Sequence, residues 1–202
     1  MLKGFIFGLV FANGFEWIAH KYILHGTHRS GKPRYSPVPR SMESHWAHHR
    51  EVRTQAFHDV GYVEGISNWR TKNEIVSLAI AAGVASLAFY PISKGMALAS
   101  LYSAGNYYYI HRRAHLEPEW AKKKIPWHYD HHMNSNQDAN WCVTKPWFDY
   151  LLGTRVISSA ELQETNPLGL SLPQPISSWL TQNVNRICPA KWVQPDALLK
   201  AQ

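Results

Sequence analysis

Apolar residues in this chain gather into a few long runs, and the stretches between the runs are polar and rich in histidine. The first run, Gly4 to Leu24, is interrupted by Asn13 and Glu16 and is long enough to cross a bilayer core at about 1.5 Å per residue. The second, Ile75 to Ile92, carries no charge and approaches the roughly 18 apolar residues of a spanning helix. Pro91, Ser93 and Gly95 predict a turn, after which Met96 to Ile110 returns as a third helix. Runs two and three therefore read as a transmembrane hairpin, with Tyr107, Tyr108 and Tyr109 where an interfacial aromatic belt belongs. The competing reading is a buried hairpin in a soluble protein, because the return run is short and rich in tyrosine.

One crossing followed by an out-and-back hairpin places the C-terminal ends of the first and third helices at the same membrane face. Mean hydropathy is too low for a bundle buried wholly in lipid. The expected fold is all-α: a membrane-embedded helical bundle carrying a histidine-rich cap. Gly26 to Arg40, rich in Gly, Pro, Ser and basic residues, predicts a surface loop, with a helix restarting near the serine cap of SMES at Ser41. One membrane domain is expected over residues 1–155, and the Pro-punctuated residues 156–202 are expected as an interfacial tail of the same domain or one packed on its cap. Lys3 ahead of the first run resembles a signal peptide, but no small-residue cleavage site follows, so the run reads as a retained anchor.

The formal charge of +7 raises the question of nucleic acid, yet no nucleic-acid-reading motif is present. Lys122, Lys123 and Lys124, with Arg112 and Arg113, sit beside apolar segments and read as juxtamembrane charge on the cytoplasmic side, or more plainly as a solvated basic face. The two cysteines lack paired spacing, which argues against a disulfide framework and a thiolate metal site and suits a reducing compartment.

Ten of the 12 histidines form four clusters: His20 and His25; His45, His48 and His49; His111 and His115; His128, His131 and His132. In each H-x2-HH cluster the second and third histidines lie over the same helix face as the first, so a triad is expected to deliver nitrogens to one small volume. His111 and His115 share a face in the same way. The five-residue step from His20 to His25 turns about 140° on an ideal helix, so that pair should straddle a site or sit where the helix ends. Ten imidazoles exceed what one ion can use, which predicts two metals with about four or five nitrogens each. Ligation by imidazole alone suits iron, zinc, copper or nickel over magnesium or calcium. His28 and His58 fall outside the pattern and read as loop residues, with His28 also near enough to His25 to support it. Glu16, Asp59, Asp130, Asp138 and Asn140 are candidates to hold the ligand rings, each weighed against a plain surface or capping role.

The order H-x4-H, H-x2-HH, H-x3-H, H-x2-HH resembles the fatty acid hydroxylase superfamily, which includes sterol desaturases and sterol methyl oxidases. The resemblance covers about residues 16 to 155 and extends to NWCVTKPWFDYLLGTR, Asn140 to Arg155. It implies a membrane enzyme with two iron ions at the cytosolic face, O2 as co-substrate, and the ten clustered histidines as ligands; purified protein can carry zinc instead. It also implies a lipid substrate, most simply a fatty acyl chain, and no catalytic residues beyond the ligands, so Asp149, Gly153 and Thr154 are supporting structure. The first and third motifs are closest to fatty acid 2-hydroxylases, and HKYILHG is also similar to the carotene hydroxylase branch. No cytochrome domain is fused to the chain, so electrons are expected from a separate cytochrome, ferredoxin or reductase. Desaturation by the same superfamily and a non-catalytic metal-binding protein are the alternatives.

Overall fold

The computed structural model describes residues 1–27 and 43–193; the predicted loop, His28 and the Ser41 cap lie outside the described residues. Three long helices make the body: α1 (Leu2–Ile18), α4 (Trp69–Phe89) and α5 (Lys94–Leu116), with α5 packed along both of the others. Between α1 and α4 lie α2 (Glu43–Thr54) and the single turn α3 (Gly61–Glu64). Local sequence sets the boundaries. Asn68 caps α4 by accepting from the Arg70 amide at 3.0 Å, and Ser93 caps α5 by accepting from the Met96 amide at 3.4 Å.

The α1–α5 seam depends on small residues. Gly4 and Gly8, four apart on α1, face Gly95 and Ala99, four apart on α5, and a Cβ at Gly8 would sit 2.6 Å from the Ala99 Cβ. Close approach of small residues at four-residue spacing is the means by which helices pack where no hydrophobic effect drives them together. The outward faces are correspondingly apolar: Phe7, Phe11, Phe15 and Ile18 on α1, and Val76, Ile80, Val84 and Leu87 on α4, are exposed. Leu2–Leu24 and Trp69–Phe89 are long and apolar enough to cross a membrane. Among the described residues α5, the predicted return arm, falls short of that standard. Asn106, four tyrosines and two arginines lower its hydropathy, which its place between α1 and α4 tolerates.

At the far end the chain breaks into short pieces. Proline at the first turn starts α6 (Pro118–Lys124) and α7 (Pro126–Met133), and α8 (Trp147–Leu151) follows. The fold is mostly helical, with one addition to the expected all-α class: β1 (Val156–Ile157) pairs in parallel with β2 (Lys191–Trp192). The tail packs on the cap. Ser158 donates to Asp130 from its amide at 3.0 Å, Trp147 Nε1 donates to Leu168 O at 2.9 Å, and Lys145 Nζ donates to Gly169 O at 2.6 Å. Gly169 adopts a φ of 61° with Trp127 so close that a side chain would not fit. Beyond it, α9 (Gln174–Ile187) exposes Ile176, Trp179 and Ile187.

Candidate metal centre

The C-terminal ends of α1 and α5 meet α2 and α7 at one end of the bundle, and the four histidine clusters converge there, all ten rings buried. They form two groups. His20, His25, His45, His49 and His131 offer nitrogens that all lie within 4.8 Å of one another, and so do His48, His111, His115 and His132. His128, the tenth, adjoins the second group with Nε2 3.3 Å from His115 Nε2. The groups abut: the His49 and His132 ring centroids are 4.2 Å apart.

One expectation about the clusters changes, and of the two alternatives for His20 and His25 the helix end is the one observed. Each H-x2-HH triad is divided between the groups. Adjacent helical residues point about 100° apart, so His48 and His49, like His131 and His132, aim at different groups, while the four-apart partners His45 and His49 stay together. The step from His20 to His25 is closed by a π turn over Ala19–Leu24, with the His25 amide donating to His20 O at 2.9 Å. Widening the helix by one residue per turn brings both rings into one group at its end, their centroids 5.1 Å apart.

The rings are held from behind. Nδ1 donates to Trp141 O from His20 (2.5 Å), to Ala139 O from His131 (2.7 Å) and to Phe57 O from His115 (3.0 Å). It donates to Asp59 Oδ2 from His48 (2.7 Å) and to Glu74 Oε1 from His111 (2.6 Å). Each acceptor is a carbonyl or carboxylate, so each of these rings commits its Nδ1 proton outward and turns Nε2 inward. The backbone is bent to do this. Ala56, Phe57 and Asn140 have φ of 50°, 77° and 59°, a left-handed conformation that costs non-glycine residues about 1–3 kcal/mol. Phe57 presents its own carbonyl to His115, and Asn140 lies between the two carbonyls that anchor His131 and His20. Asp149 fixes the latter segment by accepting from the Trp141 and Cys142 amides at 2.8 Å each.

His111 and His115 decide what the site can hold. Both carry Nδ1 protons committed to acceptors, yet their Nε2 atoms are 3.2 Å apart, lone pair against lone pair. A shared cation removes that repulsion. With metal–nitrogen distances of about 2.0–2.1 Å, two ligands lie about 2.9 Å apart at a right angle and about 3.4 Å apart at the tetrahedral angle. The observed Nε2 separations fall inside that range: His20–His45 and His45–His49 at 3.1 Å, His25–His49 and His111–His115 at 3.2 Å. His48 Nε2, His131 Nε2 and both nitrogens of His132 are buried without a hydrogen-bond partner. The residues fit two ions, each bound by imidazole.

No family model, no curated protein and no solved structure matches this chain. The chemistry of the centre is read from its own residues.

Burial is the main force pushing His45, His49, His128 and His132 well below the usual imidazole range, and neighbouring imidazoles add to it. His131 is pushed down to about 4, mainly by burial, against the opposing Ala139 hydrogen bond. All are therefore neutral and ligand-competent near neutral pH. Burial alone would raise the Asp59 carboxyl, but the bond from His48, the Gly61 amide and the Arg70 guanidinium at 2.9 Å outweigh it and hold it at about 2.

Of the five ring-holding candidates from the sequence, Asp59 contacts a ligand ring through its side chain. Glu16 accepts from the Thr144 amide at 2.8 Å and its hydroxyl at 2.7 Å, Asp130 binds Ser158, and Asn140 donates to Val156 O at 2.9 Å; Asp138 is exposed. Glu74, Tyr62 and Gln137 were not foreseen. Tyr62 Oη lies 2.6 Å from Glu74 Oε2 and 2.8 Å from His111 Nδ1, and Gln137 Nε2 lies 3.1 Å from His49 Nδ1. Glu74 is the last charge before the uncharged run. His58 lies outside both groups.

Proposed function

We propose that this chain is a membrane-bound di-iron oxygenase of the fatty acid hydroxylase type, hydroxylating a lipid, most simply a fatty acyl chain. The observation that carries the reading is the facing pair of Nε2 lone pairs on His111 and His115, each ring committed from behind, inside a cage of ten buried imidazoles. Two iron ions held by His20, His25, His45, His49 and His131, and by His48, His111, His115, His128 and His132, would supply O2 activation and C–H hydroxylation. The balance is one C–H bond and O2, with two electrons and two protons from a separate donor, giving one hydroxyl and one water.

The residues of the chain orient and insulate. Carbonyls, Asp59 and Glu74 lock the tautomers of His20, His131, His115, His48 and His111, and Trp141 and Phe57 pack against the cage and shield it from water. The apolar outer faces of α1 and α4 suit lipid, with α9 and its exposed Trp179 lying in the interface beside the cap. The basic run at Lys122 to Lys124 supports a cytoplasmic cap.

The test is mass spectrometry of lipids from cells with and without the protein, grown under 18O2. A lipid gaining one labelled oxygen supports hydroxylation. Loss of two hydrogens without label identifies a desaturase, and tight zinc with no lipid change identifies a metal-binding protein without turnover.

A further inference from the structure

The two histidine groups differ in what stands behind them. In the second group, two of the rings are backed by carboxylates: His48 by Asp59 at 2.7 Å and His111 by Glu74 at 2.6 Å. Arg70 offsets part of the Asp59 charge, and among the described residues no lysine or arginine pairs with Glu74. A carboxylate behind an imidazole raises its basicity and fixes the proton on the nitrogen away from the ion. His115 is fixed the same way by Phe57 O, so three rings of this group turn Nε2 inward, and the two backed by carboxylates, His48 and His111, have no donor facing that atom.

In the first group His20 and His131 are backed by neutral partners, the carbonyls of Trp141 and Ala139. His49 is set against its role as a ligand. Its Nδ1 faces the Gln137 side-chain nitrogen at 3.1 Å, and the same nitrogen donates to His132 O at 3.0 Å, which fixes the amide orientation. A donor at Nδ1 favours the tautomer with its proton on Nε2, the atom that lies 3.1 Å from His45 Nε2 and 3.2 Å from His25 Nε2. Without an ion, His49 can donate to its neighbours in the first group; in the second, His128 can donate to His115 Nε2 at 3.3 Å, but the carboxylate-backed Nε2 atoms of His48 and His111 are left without a donor.

We infer that the centre loads in order: the carboxylate-backed group of His48, His111, His115, His128 and His132 takes its ion first and more tightly, and Gln137 holds the other group weaker. This rests on the two-ion reading above and adds to it an inequality between the sites. The same inequality concentrates negative charge beside one ion, which favours the more oxidised state there.

The experiment is a titration of metal-free protein with cobalt(II), followed by its ligand-field absorption and by native mass spectrometry to count ions. Two steps are expected, separated at least tenfold in dissociation constant. His111→Ala should remove the tight step and His45→Ala the weak one. Glu74→Gln and, independently, Asp59→Asn should weaken the tight step about 10–100-fold and leave the weak step in place. Gln137→Leu should tighten the weak step, an effect that mere loss of packing does not produce. Two equal steps, or a tight step lost with His45→Ala, overturn the ordering and leave the two-ion reading standing. Fewer than two ions bound by the unaltered protein overturns both.

Discussion

Removing the Glu74 carboxylate should do more than delete a hydrogen bond, because Tyr62 stands ready to take its place with the wrong polarity. In the intact protein Glu74 accepts from His111 Nδ1 at 2.6 Å and from the Tyr62 hydroxyl at 2.6 Å. In Glu74→Ala the hydroxyl, 2.8 Å from His111 Nδ1, is free to turn and donate to that nitrogen. The ring then carries its proton on Nε2, aimed at His115 Nε2 3.2 Å away, and the metal must break that new bond to enter. A hydrogen bond to a charged group contributes about 1.5–3 kcal/mol, and losing a partner behind a ligand ring lowers metal affinity about 10–100-fold, which is about 1.4–2.7 kcal/mol. Because the tautomer is reversed as well as released, the loss should fall at the upper end, near 100-fold (about 2.7 kcal/mol). Tyr62→Phe alone leaves Glu74 in command and should cost a few-fold at most. The double variant Tyr62→Phe/Glu74→Ala should bind metal more tightly than Glu74→Ala, since nothing remains to enforce the wrong tautomer. The assay is competition for zinc against a chromophoric chelator. A double variant as weak as Glu74→Ala, or weaker, would refute the tautomer argument and leave only a packing defect.

Three further outcomes are expected. His48→Ala and His131→Ala, one from each group, should each abolish lipid oxidation while membrane fractionation stays unchanged; full activity in both would sink the ligand assignment. The metal-free protein should lose stability as pH falls from about 6.5, where unfolded histidines begin to protonate, to about 4, where His131 does so in the fold; across that window His131 alone accounts for about 3 kcal/mol, and a melting temperature that stays flat contradicts it. Arg155 is wholly buried, with Glu164 at 2.6 Å and Asp130 at 3.5 Å, so Arg155→Met, which strands two carboxylates, should destabilise the cap by about 3–5 kcal/mol in denaturant unfolding; a change under about 1 kcal/mol would show the network to be dispensable.

The histidines announced themselves because imidazole ligation needs close spacing along a helix, and that spacing is visible in the chain. His111 and His115, four apart on α5, meet as expected, and the ends of α1 and α5 lie together as the out-and-back pattern required. The division of each triad was also within reach of the sequence, since neighbouring residues diverge by about 100°, but the pattern alone does not say that a second group waits on the other side. The π turn at His20 was not legible, because its cause is the convergence of both rings on one group and not any local propensity.

The chain alone carries the inventory: which rings cluster, which helices are apolar, where caps and prolines start and stop them. Those features depend on contacts within a few residues. The polarity of the centre, meaning which nitrogen of each ring faces inward and how much charge lies behind it, arises only once distant segments are folded together. Glu74, Gln137 and the strained carbonyl of Phe57 act on histidines 37, 88 and 58 positions away, and a ring's tautomer depends on the partner that arrives from that distance.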